Sequence, residues 1–217
     1  MVERGRLQIE SGVQWEKRGG ETSTFFPTLF RVGVAKRLEV RIEGDTYTTI
    51  ADRDLHESGL TPVSLGFKAL LTPPDRGETA AAGVIVNITP AWGTGAFASE
   101  KASGDVRLVI DWSLSDRWSL NPNAGFAWTE GESGHFIPAL LAMTLSYQLE
   151  RGVSWFVDGA AEIPEAERGT ASLVIDAGVA YIPRQNWQLD ISVGTRSHGD
   201  TGPKPFISVG FSIRTRH

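Results

Sequence analysis

The chain has 217 residues, of which 41% are hydrophobic and 22% are charged, and it contains no Cys and four His. The lack of Cys excludes disulfides, thiolate nucleophiles and Cys-ligated metals. A net charge of -5 without a basic cluster argues against a nucleic-acid partner. No apolar run reaches the about 18 residues of a membrane-spanning helix, so any membrane-spanning form must use strands.

Apolar and polar residues alternate along the whole chain, a period typical of β-strands. The alternating segments are residues 7–15, 28–35, 38–47, 63–71, 82–92, 105–114, 118–128, 139–149, 153–162, 172–182, 187–196 and 206–214. Strands of globular proteins mostly have about 5–6 residues, whereas a strand tilted across a bilayer needs about 9–11. The twelve segments are nearly all of the longer kind, which favours a membrane barrel.

The predicted connections alternate between two kinds. Residues 36–37, 115–117, 150–152 and 183–186 form tight turns, with a somewhat longer one at 73–79. Long loops rich in Gly, Glu, Ser and Thr are expected at 17–24, 48–62, 93–104, 129–138, 163–171 and 197–205. Short periplasmic turns opposite long extracellular loops are typical of bacterial outer-membrane barrels.

In residues 38–47, Leu38, Val40 and Ile42 share one face of the strand and charged side chains share the other. In a membrane barrel the apolar face contacts lipid and the charged face lines a wet lumen. The charged residues with lumen parity are Glu10, Arg31, Glu39, Arg41, Glu43, Lys68, Arg107, Asp111, Asp158, Asp176 and Asp190. We expect Arg31 to pair with Glu39 or Glu43 across neighbouring strands.

The seven Trp all lie near predicted strand ends, with lipid-facing parity. Trp112, Trp118, Trp155 and Trp187 lie beside short turns together with Tyr147 and Tyr181, whereas Trp15, Trp92 and Trp128 lie beside long loops. Amphipathic rings concentrate at the two membrane interfaces, so this distribution predicts two aromatic girdles.

These patterns predict an all-β fold: a transmembrane antiparallel up-and-down β-barrel of about 12 strands, formed by a single domain over residues 1–217. Closure leaves no unpaired strand edge in lipid. The start, MVERGRLQIE, lacks the basic and apolar regions of a secretory signal, so the chain is either cytosolic or a mature domain. The barrel reading places it in the bacterial outer membrane, with outer-membrane lipid or detergent around it.

Several longer stretches carry a family resemblance: TLFRVGVAKRLEVRIE, SLGFKALL, SLNPNAGFAW, LVIDAGVAYIPRQNWQLDISVG and PFISVGFSIR, in that order. With them the chain resembles the outer-membrane transporter-like family "putative MetA-pathway of phenol degradation". The resemblance implies a monomeric barrel beside pathways that degrade aromatic or poorly soluble compounds. Such barrels usually end on Phe or Trp, whereas this chain ends on His217.

We therefore expect a passive outer-membrane channel for small solutes, aromatic or hydrophobic molecules among them. A closed structural or adhesion barrel, a barrel enzyme acting on lipid, and a soluble β-sandwich are the alternatives. Ser197 and His198 point apart in extended chain, so no catalytic residue is assigned and no enzyme is expected. No cofactor or metal is expected either.

Three local features of the sequence have more than one interpretation. The acidic loop with Asp52, Asp54, His56 and Glu57 is read as a solvated surface, since no Ca²⁺ loop is complete, although it could fold into the barrel mouth. Asp176 and Asp190 are expected on neighbouring strands near mid-height, with Asp158 one strand further, where they either bind water and Ser or attract a cation or amine. Pro90, Pro122 and Pro138 each lack a ladder donor, and Pro122 at mid-strand predicts a bulge or a lateral weak point.

Overall fold

The computed structural model describes residues 1–53, 55–72, 79–131, 134–150, 152–164, 170–199 and 202–215. Within these ranges it contains fourteen strands and one short 3-10 helix, Gly95–Phe97. The strands are β1 (Leu7–Arg18), β2 (Glu21–Ala35), β3 (Leu38–Ala51), β4 (His56–Leu60), β5 (Ser64–Thr72), β6 (Ala80–Thr89), β7 (Ser103–Ser113), β8 (Trp118–Gly131), β9 (Gly134–Phe136), β10 (Ala139–Gln148), β11 (Val153–Ile163), β12 (Ser172–Arg184), β13 (Trp187–His198) and β14 (Lys204–Arg214). No helix in these ranges is long and apolar enough to cross a membrane.

Twelve of the described strands form one closed antiparallel ring. Each pairs with the next long strand, β8 pairs with β10, and β14 closes the ring against β1 from Gln8↔Arg214 to Glu16↔Phe206. The short strands β4 and β9 pair only with β3 and β8. The predicted barrel of about twelve strands is confirmed, and closure satisfies every strand edge of the ring.

The two faces of β3 show how the barrel wall is oriented. Glu39 is 0% exposed and Arg41 9%, whereas Val40 is 44% exposed and Ile42 39%. The same alternation continues around the ring, where large apolar side chains such as Leu65, Met143 and Val193 are exposed on the outside. The molecule therefore has an apolar outer surface and a polar interior, the reverse of a soluble barrel.

The connections form two rims. Residues 36–37 and 185–186 are two-residue turns on one rim, here called the short-turn rim. The prediction of a long loop at 17–24 is wrong, because β1 and β2 continue to Arg18 and Glu21, which pair directly. Gly19 adopts φ +58°, so the Gly19-Gly20 pair closes a tight hairpin that a residue with a Cβ would disfavour.

Two other predicted loops contain short strands. β3 extends to Ala51, and β4 folds back along it from Tyr47↔Leu60 to Ala51↔His56. β8 extends to Gly131 and pairs with β9. Both hairpins lie on the opposite rim, the long-loop rim. Several predicted positions lie outside the described residues: the turn at 73–79 except Thr79, parts of the connections at 129–138, 150–152, 163–171 and 197–205, Asp54 and His217.

Of the three prolines predicted to lie in strands, only one interrupts the sheet in the middle of a strand. Pro90 directly follows β6 and Pro138 directly precedes β10, so both lie at strand ends. Pro122 lies within β8 and pairs with Met143 of β10. The ladder between β7 and β8 lacks two pairs beside Pro122, between Val109↔Asn123 and Trp112↔Leu120, although the register is unchanged on both sides. Pro122 thus interrupts hydrogen bonding without forming a bulge.

Candidate functional site in the barrel lumen

A network of ion pairs centred on Glu39 covers one side of the lumen. The Glu39 side chain has no exposed surface. Arg31 donates to both its carboxylate oxygens, from Nε at 3.0 Å and from Nη2 at 3.1 Å, and Arg41 donates from Nη1 at 3.1 Å. Because Arg31 and Arg41 are directly opposite each other on β2 and β3, the carboxylate bridges two guanidinium groups that would otherwise repel.

The network extends in both directions from its centre. Arg31 Nη1 donates to Glu10 Oε1 at 2.9 Å, so Arg31 joins β1 to β3. Glu43 accepts from Arg41 Nη2 at 2.7 Å and from Arg107 Nη2 at 2.7 Å. The expected pair of Arg31 with Glu39 is therefore present, and Glu43 instead connects β3 to β7, past the intervening strands β5 and β6.

Lys68 and Asp111 form a looser pair nearer the short-turn rim. Lys68 Nζ lies 3.5 Å from Asp111 Oδ2, and the Asp111 side chain is 53% exposed. Asn121 Nδ2 donates to Asp111 Oδ1 at 2.9 Å. Lys68 is also the direct cross-strand neighbour of Glu39. Three cationic side chains, those of Arg31, Arg41 and Lys68, thus lie around the buried Glu39 carboxylate.

The opposite side of the lumen carries carboxylates without basic partners in the described residues. In a ring of twelve strands, β11 and β12 lie across from β3 and β5. Asp158 and Asp176 are direct cross-strand partners, whereas Asp190 is opposite Ala180 and lies nearer the short-turn rim. Asp158 and Asp176 each bury one oxygen, Oδ1, that has no hydrogen-bond partner. The close pair is therefore Asp158 with Asp176, not Asp176 with Asp190.

A cavity of about 530 Å³ lies within the lumen beside the Glu39 network. Four carboxylates contribute to its lining, from Glu10, Glu43, Asp45 and Asp190. Hydroxyl groups contribute as well, Thr28 and Ser212 among them. Its lining includes no Lys or Arg, so this cavity is polar and acidic.

The first six residues, here called the inner segment, enter the lumen instead of continuing β1 outward. Val2 is 1% exposed, and its N–H donates to Glu39 Oε2 at 2.7 Å. Gly5 N–H donates to the Gly33 carbonyl at 2.7 Å, and Gly33 N–H donates to the Arg6 carbonyl at 3.0 Å. Sequence reasoning missed this arrangement, because no periodicity marks a short segment whose placement depends on tertiary contacts.

The predicted girdle residues lie at strand ends or just beyond them. Trp92 follows β6, and the other six Trp lie in strands near one end. Trp118, Tyr147 and Trp155 pack together on the short-turn rim, with ring centroids 4.7 Å apart for Trp118 and Tyr147 and 5.3 Å apart for Trp118 and Trp155. The remaining girdle residues are largely exposed: Trp15, Trp92, Trp112, Trp128, Trp187 and Tyr181.

The residues considered for catalysis or metal binding do not form a site in the described part of the chain. Ser197 pairs with Leu173 and His198 with Ser172, so consecutive positions of β13 place their side chains on opposite faces. Among the described residues, no group of three His, Asp or Glu side chains is arranged to hold a metal ion. In the acidic loop, Asp52 Oδ1 accepts from the Arg53 N–H at 2.7 Å, while His56 and Glu57 belong to β4.

The predicted set of lumen residues omits several that parity could have revealed, Asn87 and Asp105 among them. Asn87 donates from Nδ2 to Glu43 Oε1 at 2.7 Å and to Asp105 Oδ2 at 2.9 Å. Asp105 Oδ1 lies 2.6 Å from Arg107 Nε. Asp105 shares the parity of Arg107 and Asp111 and is the first residue of the predicted segment 105–114.

An apolar exterior, a charged interior and a closed ring of twelve strands define an outer-membrane-type β-barrel. The family model "Putative MetA-pathway of phenol degradation" matches residues 1–215. The chain belongs to this family, which confirms the resemblance found in the sequence. No curated protein matches the chain.

Solved structures share the fold. The COG4313 outer membrane channel from Pseudomonas putida F1 aligns with a TM-score of 0.73 at 11% identity, over 99% of this chain and 97% of that one. The KdgM porin aligns with a TM-score of 0.62 at 9% identity, over 97% of this chain and 99% of that one. The CymD monoaromatic hydrocarbon channel aligns with a TM-score of 0.56 at 10% identity, over 100% of this chain and 90% of that one. At these identities the likeness shows the fold alone.

Proposed function

We propose that the protein is a passive outer-membrane channel for small solutes, small aromatic molecules among them. The proposal depends on one observation: a closed barrel with an apolar outer surface encloses charged and hydroxylated side chains. A barrel with no solute or water inside would bury many ionic groups at high cost, so a polar interior is expected to serve a wet passage.

The aromatic part of the proposal rests on the family and on one neighbour. The family description refers to phenol degradation, and CymD is described as a monoaromatic hydrocarbon channel. The cavity lining, with hydroxyl groups and carboxylates such as Thr28 and Glu43, favours solutes that keep a hydrogen-bonding group. A phenol fits this chemistry better than a hydrocarbon without a polar group does.

We further propose that the barrel works as a monomer in outer-membrane lipid and is not an enzyme. The placement of Ser197 and His198 on opposite faces of β13 supports a non-catalytic role. The ring closes within one chain, so no second copy is needed to satisfy a strand edge.

Flux into liposomes tests the proposal. The refolded protein is inserted into vesicles, and entry of phenol is compared with entry of a sugar of similar mass and with empty vesicles. Entry of both solutes indicates a general pore, and preferential phenol entry above the empty-vesicle rate indicates an aromatic route. No protein-dependent entry of either solute, from a barrel that migrates as folded on unheated gels, would refute the channel.

A closed structural barrel is the second candidate function. It is favoured by one observation: Glu39 has no exposed surface, and Val2 covers it from inside the lumen. The flux experiment separates the two candidates, because a closed barrel folds but passes neither solute.

A further inference from the structure

The Trp and Tyr side chains of the short-turn rim are confined to one half of the barrel. Six consecutive strands of the ring, from β7 to β13, each carry one on the outer face near this rim: Trp112, Trp118, Tyr147, Trp155, Tyr181 and Trp187. The other six strands of the described ring have no Trp or Tyr there and end in aliphatic side chains such as Leu7 and Val34. Because Trp and Tyr rings lie at headgroup depth, this half of the rim is the one built to contact lipid headgroups.

Three of these rings, Trp118, Tyr147 and Trp155, form one compact group, here called the rim aromatic cluster. Tyr147 of β10 pairs directly with Trp118 of β8 on one side and with Trp155 of β11 on the other. The ring centroids are 4.7 Å, 5.3 Å and 5.9 Å apart, and the planes of the two Trp rings lie at 89°. Rings that contact one another in this way form a preformed surface, which loses little freedom when a ligand binds.

Arg117 adds a positive charge to the rim aromatic cluster. Its Nη1 donates to Tyr147 Oη at 3.3 Å. The turn around it is fixed, because the Arg117 carbonyl accepts from the Gln148 N–H at 2.7 Å and Ser115 Oγ accepts from the Trp118 N–H at 3.1 Å. In the described part of the chain Arg117 is exposed and no carboxylate acts on it. The guanidinium is therefore available to an anion from outside the protein.

The two indole N–H groups of the cluster are also available as donors. Trp118 and Trp155 are only partly exposed, yet neither indole donates a hydrogen bond within the residues that the structure describes. A partly buried indole N–H usually finds an acceptor. Together with Arg117 the cluster thus offers several donors at headgroup depth, where the acceptor-rich group is a phosphate diester.

We propose that Arg117 and the rim aromatic cluster bind the phosphate group of an anionic phospholipid in the leaflet at the short-turn rim. In a bacterial outer membrane this rim faces the periplasmic leaflet, which consists of phospholipids. The fork of Arg117 donates to the phosphate, the indole N–H groups donate to neighbouring ester oxygens, and the ring faces pack against the upper acyl chain. A zwitterionic headgroup binds less well, because its own ammonium neutralises the phosphate and would lie beside the Arg117 cation.

Native mass spectrometry of the folded barrel, released from detergent, measures this binding. Dioleoylphosphatidylglycerol is titrated, and dioleoylphosphatidylcholine, with the same acyl chains, is the zwitterionic comparison. One basic side chain near anionic lipid contributes about fivefold in affinity. Arg117→Gln should therefore weaken binding of the first phosphatidylglycerol about fivefold, whereas Arg117→Lys should weaken it less. Equal affinity of the wild type for the two lipids, or no bound lipid on a folded wild type, would overturn the proposal.

Arg184→Gln is the matched control. Arg184 is exposed on the same rim and pairs with Trp187 across β12 and β13, but the ring contacts of the described residues do not include Trp187. The variant removes the same charge without changing the rim aromatic cluster, so it should weaken binding of the first phosphatidylglycerol less than about twofold. Equal losses in Arg117→Gln and Arg184→Gln would mean that only the net charge of the rim attracts lipid, which contradicts a site.

Unfolding in vesicles tests the same site in a bilayer. A lipid that binds only the folded barrel raises its free energy of unfolding. The urea midpoint of the wild type should be higher in phosphatidylcholine vesicles that contain phosphatidylglycerol than in phosphatidylcholine alone. Arg117→Gln should lose most of this increase and Arg184→Gln should keep it, and an equal increase in all three proteins would refute the site. Neither measurement uses flux, so a barrel that passes no solute would refute the channel and leave the lipid site standing.

Discussion

Replacing Glu39 by Gln should destabilise the barrel strongly. The carboxylate is fully buried and bridges Arg31 and Arg41, which face each other on adjacent strands. A neutral amide keeps the shape but leaves two buried guanidinium groups without their shared counter-charge. Removing one partner of a buried ion pair costs about 3–5 kcal/mol. With an unfolding slope near ~3 kcal/mol per molar, the urea midpoint should fall by about 1 to 1.7 M.

The assay is reversible urea unfolding in detergent or lipid vesicles, followed by tryptophan fluorescence. Asp111→Asn is the control, because the pair of Asp111 with Lys68 is 3.5 Å long and its carboxylate is 53% exposed. A long pair with an exposed carboxylate contributes about 0–1 kcal/mol. The buried Lys68 also keeps Glu39 as its cross-strand neighbour, so this variant should unfold close to the wild type. If Glu39→Gln and Asp111→Asn lose equally little stability, Glu39 is solvated and the argument from its burial fails.

Three further outcomes are expected. Replacing Asp158 and Asp176 by Asn should move the reversal potential in a KCl gradient toward zero, because acidic side chains give the lumen a weak cation preference; an anion-selective wild type would contradict this. Pro122→Val should raise the free energy of unfolding by about 1 kcal/mol by restoring a ladder donor, and an unchanged urea midpoint would show that no bond forms. Trp118→Leu should lower the free energy of unfolding by about 1–3 kcal/mol beyond the effect of the lost apolar area, because Trp118 makes two ring contacts. Trp187→Leu should lower it less, and equal losses in the two variants would argue against those contacts.

Much of the wall could be predicted because side-chain period alone determines which face a residue occupies. Val40 and Glu39 differ by one position, and the structure puts one outside and the other inside. The hairpin at Gly19-Gly20 was missed because its flanking residues are polar, which suggested a loop, although the two glycines are themselves a turn signal.

The height of a residue along the barrel axis was harder to predict than the face it occupies. Asp176 and Asp190 seemed neighbours from their positions in adjacent segments, but the register of β12 and β13 places Asp176 opposite Gly194. Register depends on where the hairpin turn closes, and a shift of two residues keeps the face while changing the partner. The inner segment could not be found at all, because its position depends on Gly33 and Glu39, far away in sequence.

The uneven distribution of charge in the lumen has a structural reason. The Arg31 and Arg41 side of the lumen encloses the inner segment, so its charges are removed from water and must be neutralised by close partners such as Glu39. On the opposite side, Asp158 and Asp176 face each other across β11 and β12 with no basic partner among the described residues, and each keeps its Oδ1 atom buried without a hydrogen bond. Ion pairs thus neutralise the charges around the inner segment, whereas the two carboxylates across the lumen have no counter-charge among the described residues.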